Sequence, residues 1–149
     1  LTDRPGYLRL TTGSVVKDIW SAPNTLTQRT FGPVCSGAVA IDVGNMKDGD
    51  YAGLAAFQAL YGFIGVKMSG TAKSVVMMEN TGTNKAVTDT EIASASLGSS
   101  VTRVYLKEIL ISAPERTRRL SITVWTRNMD CPRQRSEHVL YYSSIYGLP

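Results

Sequence analysis

The chain has 149 residues, of which 43% are hydrophobic and 19% charged. This composition is typical of one globular domain with a single core and excludes a disordered chain. No apolar run approaches the roughly 20 residues that a membrane span needs, and no basic start precedes an apolar stretch as in a signal peptide. Because Leu1 replaces an initiator Met, we expect an excised segment whose localisation, cytoplasmic or secreted, follows its parent.

The net charge of +4 is spread evenly along the chain, with +2 in residues 1–107 and +2 in residues 108–149. Neither part has a basic stripe with interleaved aromatic residues, so we predict no nucleic-acid partner. Cys35 and Cys131 are predicted to be free thiols rather than a disulfide. Together with the single His138 they are too few for a zinc site, and we predict no metal and no other cofactor.

The pattern through residue 107 predicts short strands separated by turn residues. Asp48-Gly49 predicts a tight turn, because glycine tolerates a positive φ. Helical propensity over Ala52–Ala59 is the minor alternative to a strand. These features favour an all-β antiparallel sandwich or barrel forming one domain over residues 1–149. The predicted strands are Tyr7–Thr12, Ala38–Val43, Tyr51–Gln58, Tyr61–Met68, Ala72–Glu79 and Val101–Lys107.

Signatures of catalysis are missing from the sequence. It has no Gly-x-Ser-x-Gly elbow, no phosphate loop and no His-Glu-x-x-His motif. A glycosidase needs two suitably separated carboxylates, but Asp48 and Asp50 only flank a turn glycine. We therefore predict no catalytic residue in this chain.

Several stretches resemble one family in order. They are RPGYLRL at 4–10, PNTLTQRT at 23–30, MKDGDYAGL at 46–54, YGFIGVK at 61–67 and VYLK at 104–107. Together they resemble the C-terminal domain of glycoside hydrolase family 43. The resemblance implies a concanavalin A-like jelly-roll sandwich without catalytic residues. It also implies a parent β-xylosidase or α-L-arabinofuranosidase whose catalytic acids lie on an N-terminal five-bladed propeller.

The implied function is that of an accessory domain, which packs on the propeller and shapes its sugar pocket. The partners would be that propeller and a xylo- or arabino-oligosaccharide. Phe57, Gln58, Tyr61 and Phe63 are the candidate contact residues, because aromatic rings and amides meet sugars. The alternative is that these rings pack in the sandwich core or against the propeller. Two other functions stay open: an autonomous carbohydrate-binding module, and an intact jelly-roll hydrolase, which the missing acids disfavour.

The composition changes after Lys107. Residues 108–149 contain six Arg, no Lys and one Gly, whereas residues 1–107 contain four Arg, six Lys and twelve Gly. The family pattern also stops there. Read from the third base of each codon, permitted codons for Glu108–Arg119 spell Asp-Phe-Asp-Phe-Arg-Pro-Gly-Thr-Asp-Lys-Ala, which resembles the next strand of the family. We therefore predict a reading-frame shift, a sandwich incomplete at its C-terminus, and largely irregular structure over 126–137. An ordinary divergent edge is the alternative, and a strand over Arg119–Trp125 is compatible with both.

Overall fold

The computed structural model describes residues 4–57, 61–80 and 88–112, together with the backbone of two later strands, Arg118–Arg127 and Arg135–His138. The chain divides into two compact units, residues 1–30 and residues 31–149. Among the described residues, no helix has the length and apolar character needed to cross a membrane.

The first unit contains a short 3-10 helix, Ile19–Ser21. The Asp18 carboxylate caps this helix by accepting a hydrogen bond from the Ser21 backbone N–H at 2.9 Å. The guanidinium of Arg4 lies 3.8 Å from the ring centre of Tyr7. The predicted strand Tyr7–Thr12 is wrong: the backbone there is irregular and its side chains are exposed. Alternation alone does not make a strand, and the described part of this unit contains no second strand for it to pair with.

The second unit contains two four-stranded antiparallel sheets. The first sheet has the order β1-β6-β7-β8 and the second the order β2-β3-β4-β5. The strands are β1 (Val34–Asp42), β2 (Tyr51–Phe57), β3 (Tyr61–Ser69), β4 (Ala72–Asn80), β5 (Asp89–Leu97), β6 (Arg103–Ser112), β7 (Arg118–Arg127) and β8 (Arg135–His138).

The core lies between the two sheets and confirms the predicted sandwich. Alternate residues of the central strands supply it, as period-two alternation requires. Leu54 and Ala56 of β2 pack against it from the edge of the second sheet. The buried apolar residues are Val43, Ile64, Val66, Val75, Met77, Leu97, Val101, Val104 and Leu106.

The Asp48-Gly49 turn is confirmed. Gly49 has a φ of +85°, and the Asp50 backbone N–H donates to the Lys47 carbonyl at 3.0 Å. The Asp48 carboxylate accepts from the Gly70 backbone N–H at 2.7 Å, and the Asp50 carboxylate accepts from the Lys47 backbone N–H at 2.7 Å. Both carboxylates therefore hold the two turns at one end of the β2–β3 pair.

One strand, β5, was not predicted from the sequence, and the backbone of a later region was predicted wrongly. β5 escaped prediction because its small residues Ala93–Ser96 alternate too weakly to reveal a buried face. We expected a largely irregular backbone over residues 126–137. This expectation is wrong at Thr126 and Arg127, which belong to β7, and at residues 135–137, which belong to β8. Residues 128–134 lie outside the described residues. The alternating Leu120, Ile122 and Val124 allow β7 to pair along the edge of β6. The predicted loss of closing strands therefore does not hold for β7 and β8.

Candidate binding face

Three of the four predicted contact residues lie on one surface of the second sheet. Because Leu54 and Ile64 face the core, the odd-numbered residues of β2 and β3 alternate onto the opposite side. That side, which we call the outer face, carries Phe57, Tyr61 and Phe63. Gln58 lies outside the described residues. None of these three rings belongs to the core cluster between the sheets, although Tyr61 is buried.

The outer face adds a fourth ring, Tyr51, that the sequence did not single out. Tyr51 and Phe63 meet edge to face, with ring centres 6.5 Å apart. Phe57 and Tyr61 are directly paired across β2 and β3, with ring centres 6.1 Å apart. We call these four rings the aromatic stripe. The sequence signal for Tyr51 was its position on the same strand as Phe57 at an even number of residues, which places both rings on one face of the sheet.

The rings of the stripe differ in accessibility. Tyr51 is 45% exposed and Phe57 is 37% exposed, whereas Tyr61 is only 3% exposed. Phe63 is half-buried. Tyr51 and Phe57 thus offer accessible aromatic surface near the two ends of β2, while Tyr61 supports Phe57 from the neighbouring strand.

Tyr61 is held by a polar network that crosses three strands. Its hydroxyl donates to Asp89 Oδ1 at 2.6 Å, and the Asn80 side-chain amide donates to the same oxygen at 2.9 Å. Asn80 is 2% exposed, so a partner is required for its amide. The network satisfies two buried polar side chains and fixes the Tyr61 ring.

An ion pair crosses the middle of the outer face. Lys67 Nζ on β3 lies 3.1 Å from Glu91 Oε2 on β5. Its hydrogen bond to Glu91, followed by the charge of Tyr51, raises the pKa of Lys67. The hydrogen bond from Lys67, followed by one with Ser94, lowers the pKa of Glu91. The pair spans the intervening strand β4, where Val76 of the outer face is fully buried.

Two glycines on β2 and β3 stand where a side chain would not fit. Gly53 and Gly65 are paired in register, and an added methyl group at either would collide with the facing backbone. At Gly65 the methyl would also overlap the Phe63 ring. The absence of a side chain at Gly65 leaves room for that ring beside the strand.

The first sheet offers a weaker candidate. Its β1 and β6 border an open hollow of about 300 Å³, lined by Ala38, Ala40, Tyr105 and Lys107 together with Val39 and Leu106. A single aromatic ring contributes to it. Across the described ranges, no three potential metal ligands come together.

Comparison with known proteins identifies the fold family. The model of the β-xylosidase C-terminal concanavalin A-like domain of glycoside hydrolase family 43 (GH43) matches residues 1–130. The chain belongs to this family. The family prediction and the concanavalin A-like sandwich are thereby confirmed. The family match extends to residue 130, beyond Lys107, further than the sequence resemblance indicated.

Two solved structures share this domain. One is described as a bifunctional GH43-CE of Bacteroides eggerthii; it is 33% identical, has a TM-score of 0.78, and covers 98% of this chain. The other is a GH43 glycoside hydrolase whose engineered active site displays both endo-xylanase and exo-arabinofuranosidase activity; it is 25% identical, has a TM-score of 0.69, and covers 89% of this chain. The chain spans only 17% and 26% of these proteins. No curated protein matches the chain.

Proposed function

We propose that this GH43 sandwich is a non-catalytic accessory domain that packs on the catalytic propeller of its parent and shapes the sugar pocket there. The parent would be a β-xylosidase or an α-L-arabinofuranosidase. The observation that carries the proposal is the outward position of the aromatic stripe, on the side of the second sheet away from the core.

The chemistry of the outer face suits a protein interface. Aromatic residues are enriched at the centres of interfaces, and exposed apolar patches often mark them. Tyr51 and Phe57 supply such a surface on β2, at one edge of the sheet. Three charged groups of this face already have partners, since Lys67 pairs with Glu91 and Asp89 accepts two hydrogen bonds. Covering these three would therefore bury no unpartnered charge.

A test uses the full-length parent enzyme. The double variant Tyr51→Ala and Phe57→Ala should separate the unfolding transition of the sandwich from that of the propeller and raise KM for xylo-oligosaccharides. Lys107→Ala, an exposed change on the first sheet, is the matched control and should do neither. Unchanged transitions and KM in the double variant would contradict the proposal.

The runner-up is an autonomous carbohydrate-binding module, favoured by the accessible rings of Tyr51 and Phe57. Such a module would bind xylan without the propeller, because its platform would be its own. Retardation of the isolated chain in a xylan-containing gel, lost in the same double variant, would support this reading over the interface. We expect no retardation.

A further inference from the structure

Glu108 occupies a place in β6 that suits an apolar side chain. Val104 and Leu106 of the same strand face the core and are buried, and alternation places Glu108 and Leu110 on that side too. Glu108 is 7% exposed. Its Oε1 is buried and has no hydrogen-bond partner within the part of the chain that the structure describes. A buried carboxyl without partners is strongly unfavourable.

The polarity pattern of β6 is broken from this residue onward. Before it, the core side carries Val104 and Leu106, and the other side carries Arg103, Tyr105 and Lys107. From it onward, an acidic residue stands on the core side and two isoleucines, Ile109 and Ile111, lie on the opposite side, with Ile111 37% exposed. Leu110 still packs against the core. Three misplaced residues within four positions point to the sequence itself.

The alternative frame restores the polarity. Each of its codons takes the last base of one codon and the first two bases of the next, so Asp-Phe-Asp-Phe falls at positions 109–112. With the observed alternation, both Asp residues face outward and both Phe residues face the core. The pairing of β6 with β1 and β7 continues unbroken through these positions.

We infer that the codons from residue 108 onward are translated out of the frame that encodes the sandwich. This inference is independent of the docking surface proposed above. A functional role for Glu108 is the competing explanation. Its register partners are Gly37 on β1, where an added methyl would meet no atom within 4 Å, and Ile122 on β7. Neither partner carries a charge or a side-chain hydrogen-bonding group.

The decisive experiment is to sequence the gene across codons 108–112. The inference requires the bases GAG ATT TTG ATT TC. In one frame these bases encode Glu-Ile-Leu-Ile followed by the start of a Ser codon, and read from the third base they encode Asp-Phe-Asp-Phe. No other choice of codons gives both readings. Each of these residues has other codons, so the requirement is strict. If the third base of any codon from 108 to 111 differs from this string, the alternative frame no longer encodes Asp-Phe-Asp-Phe, and the inference is overturned.

The natural protein provides a second readout. Trypsin cleaves after Lys107 and Arg116, so the chain as translated here releases a peptide spanning 108–116. In protein purified from the source organism we expect peptides of the restored frame, containing Asp-Phe-Asp-Phe-Arg-Pro-Gly-Thr-Asp-Lys. Detection of the 108–116 peptide in an active GH43 enzyme, at the same abundance as peptides from residues 1–107, would overturn the inference.

Discussion

Gly65 is paired with Gly53 across the two strands that carry the aromatic stripe. A methyl group at this position would overlap the Phe63 ring and lie 2.5 Å from the Ala52 carbonyl oxygen. We therefore expect Gly65→Ala to lower the free energy of unfolding by about 2 kcal/mol, because the backbone of β2 cannot move away without breaking pairing. Denaturant unfolding followed by tryptophan fluorescence measures the change.

Gly37→Ala is the matched control, since Gly37 is also a strand glycine but has open space where the methyl would go. Alanine should be neutral or stabilise the protein by about 0.5 kcal/mol, because it restricts the unfolded chain. Equal losses of stability in both variants would show that the close approach at Gly65 does not matter.

Glu108 makes the stability of the sandwich depend on pH. Burial raises the pKa of its carboxyl to about 7 from an ordinary value of 4.5. Because the folded-state pKa is raised, the folded protein is most stable below pH 4.5 and loses stability as the pH rises through 7. Above that pH the loss in unfolding free energy amounts to about 3 kcal/mol. Unfolding free energies measured at pH 5 and pH 8 should therefore differ.

Glu108→Gln should remove most of that pH dependence between pH 5 and pH 8, because the amide does not ionise. Glu91→Gln is the control: the pKa of Glu91 is lowered by Lys67, so its titration lies below this range and the slope should persist. A wild-type protein equally stable at pH 5 and pH 8 would show that the Glu108 carboxyl is solvated.

Among the strands, β3, β4 and β5 are tied together at one end by the side-chain network of Tyr61, Asn80 and Asp89. Tyr61→Phe keeps the ring but removes the hydroxyl that donates to Asp89 at 2.6 Å. We expect a loss of about 1–2 kcal/mol in unfolding free energy, because a partly buried hydrogen bond to a charged acceptor is lost. Tyr51→Phe, at a ring that is 45% exposed, should change stability by less than about 0.5 kcal/mol. Similar losses in both would contradict the structural role of the network.

An element can be predicted from the sequence when the pattern that specifies it lies within a few neighbouring residues. The Asp48-Gly49 turn and strands β2 to β4 were predictable, because glycine φ preference and alternation act within a few residues. The neighbours of each strand were not. The Tyr61–Asp89 bond joins residues 28 apart in sequence, and no local pattern specifies that β5 lies beside β4. The small residues of β5 hid it for the same reason.

At the scale of the whole molecule, the chain should not hydrolyse glycosides by itself. The two carboxylates nearest to a candidate pair, Asp48 and Asp50, hold backbone N–H groups in turns, which leaves them no position for acid–base work. We expect no turnover of aryl xyloside or aryl arabinofuranoside by the purified chain. Turnover that disappears in Asp48→Asn or Asp50→Asn would refute the assignment as an accessory domain.

The central claim is that the outer face of the second sheet is covered by the catalytic domain in the parent protein. Amide hydrogen exchange on the full-length parent and on the isolated chain compares the same strands directly. We expect β2, an edge strand of its sheet, and its partner β3 to exchange more slowly in the parent, with β1 and β6 unchanged. Slower exchange in β1 and β6 while β2 stays the same, or no difference anywhere, would contradict the claim.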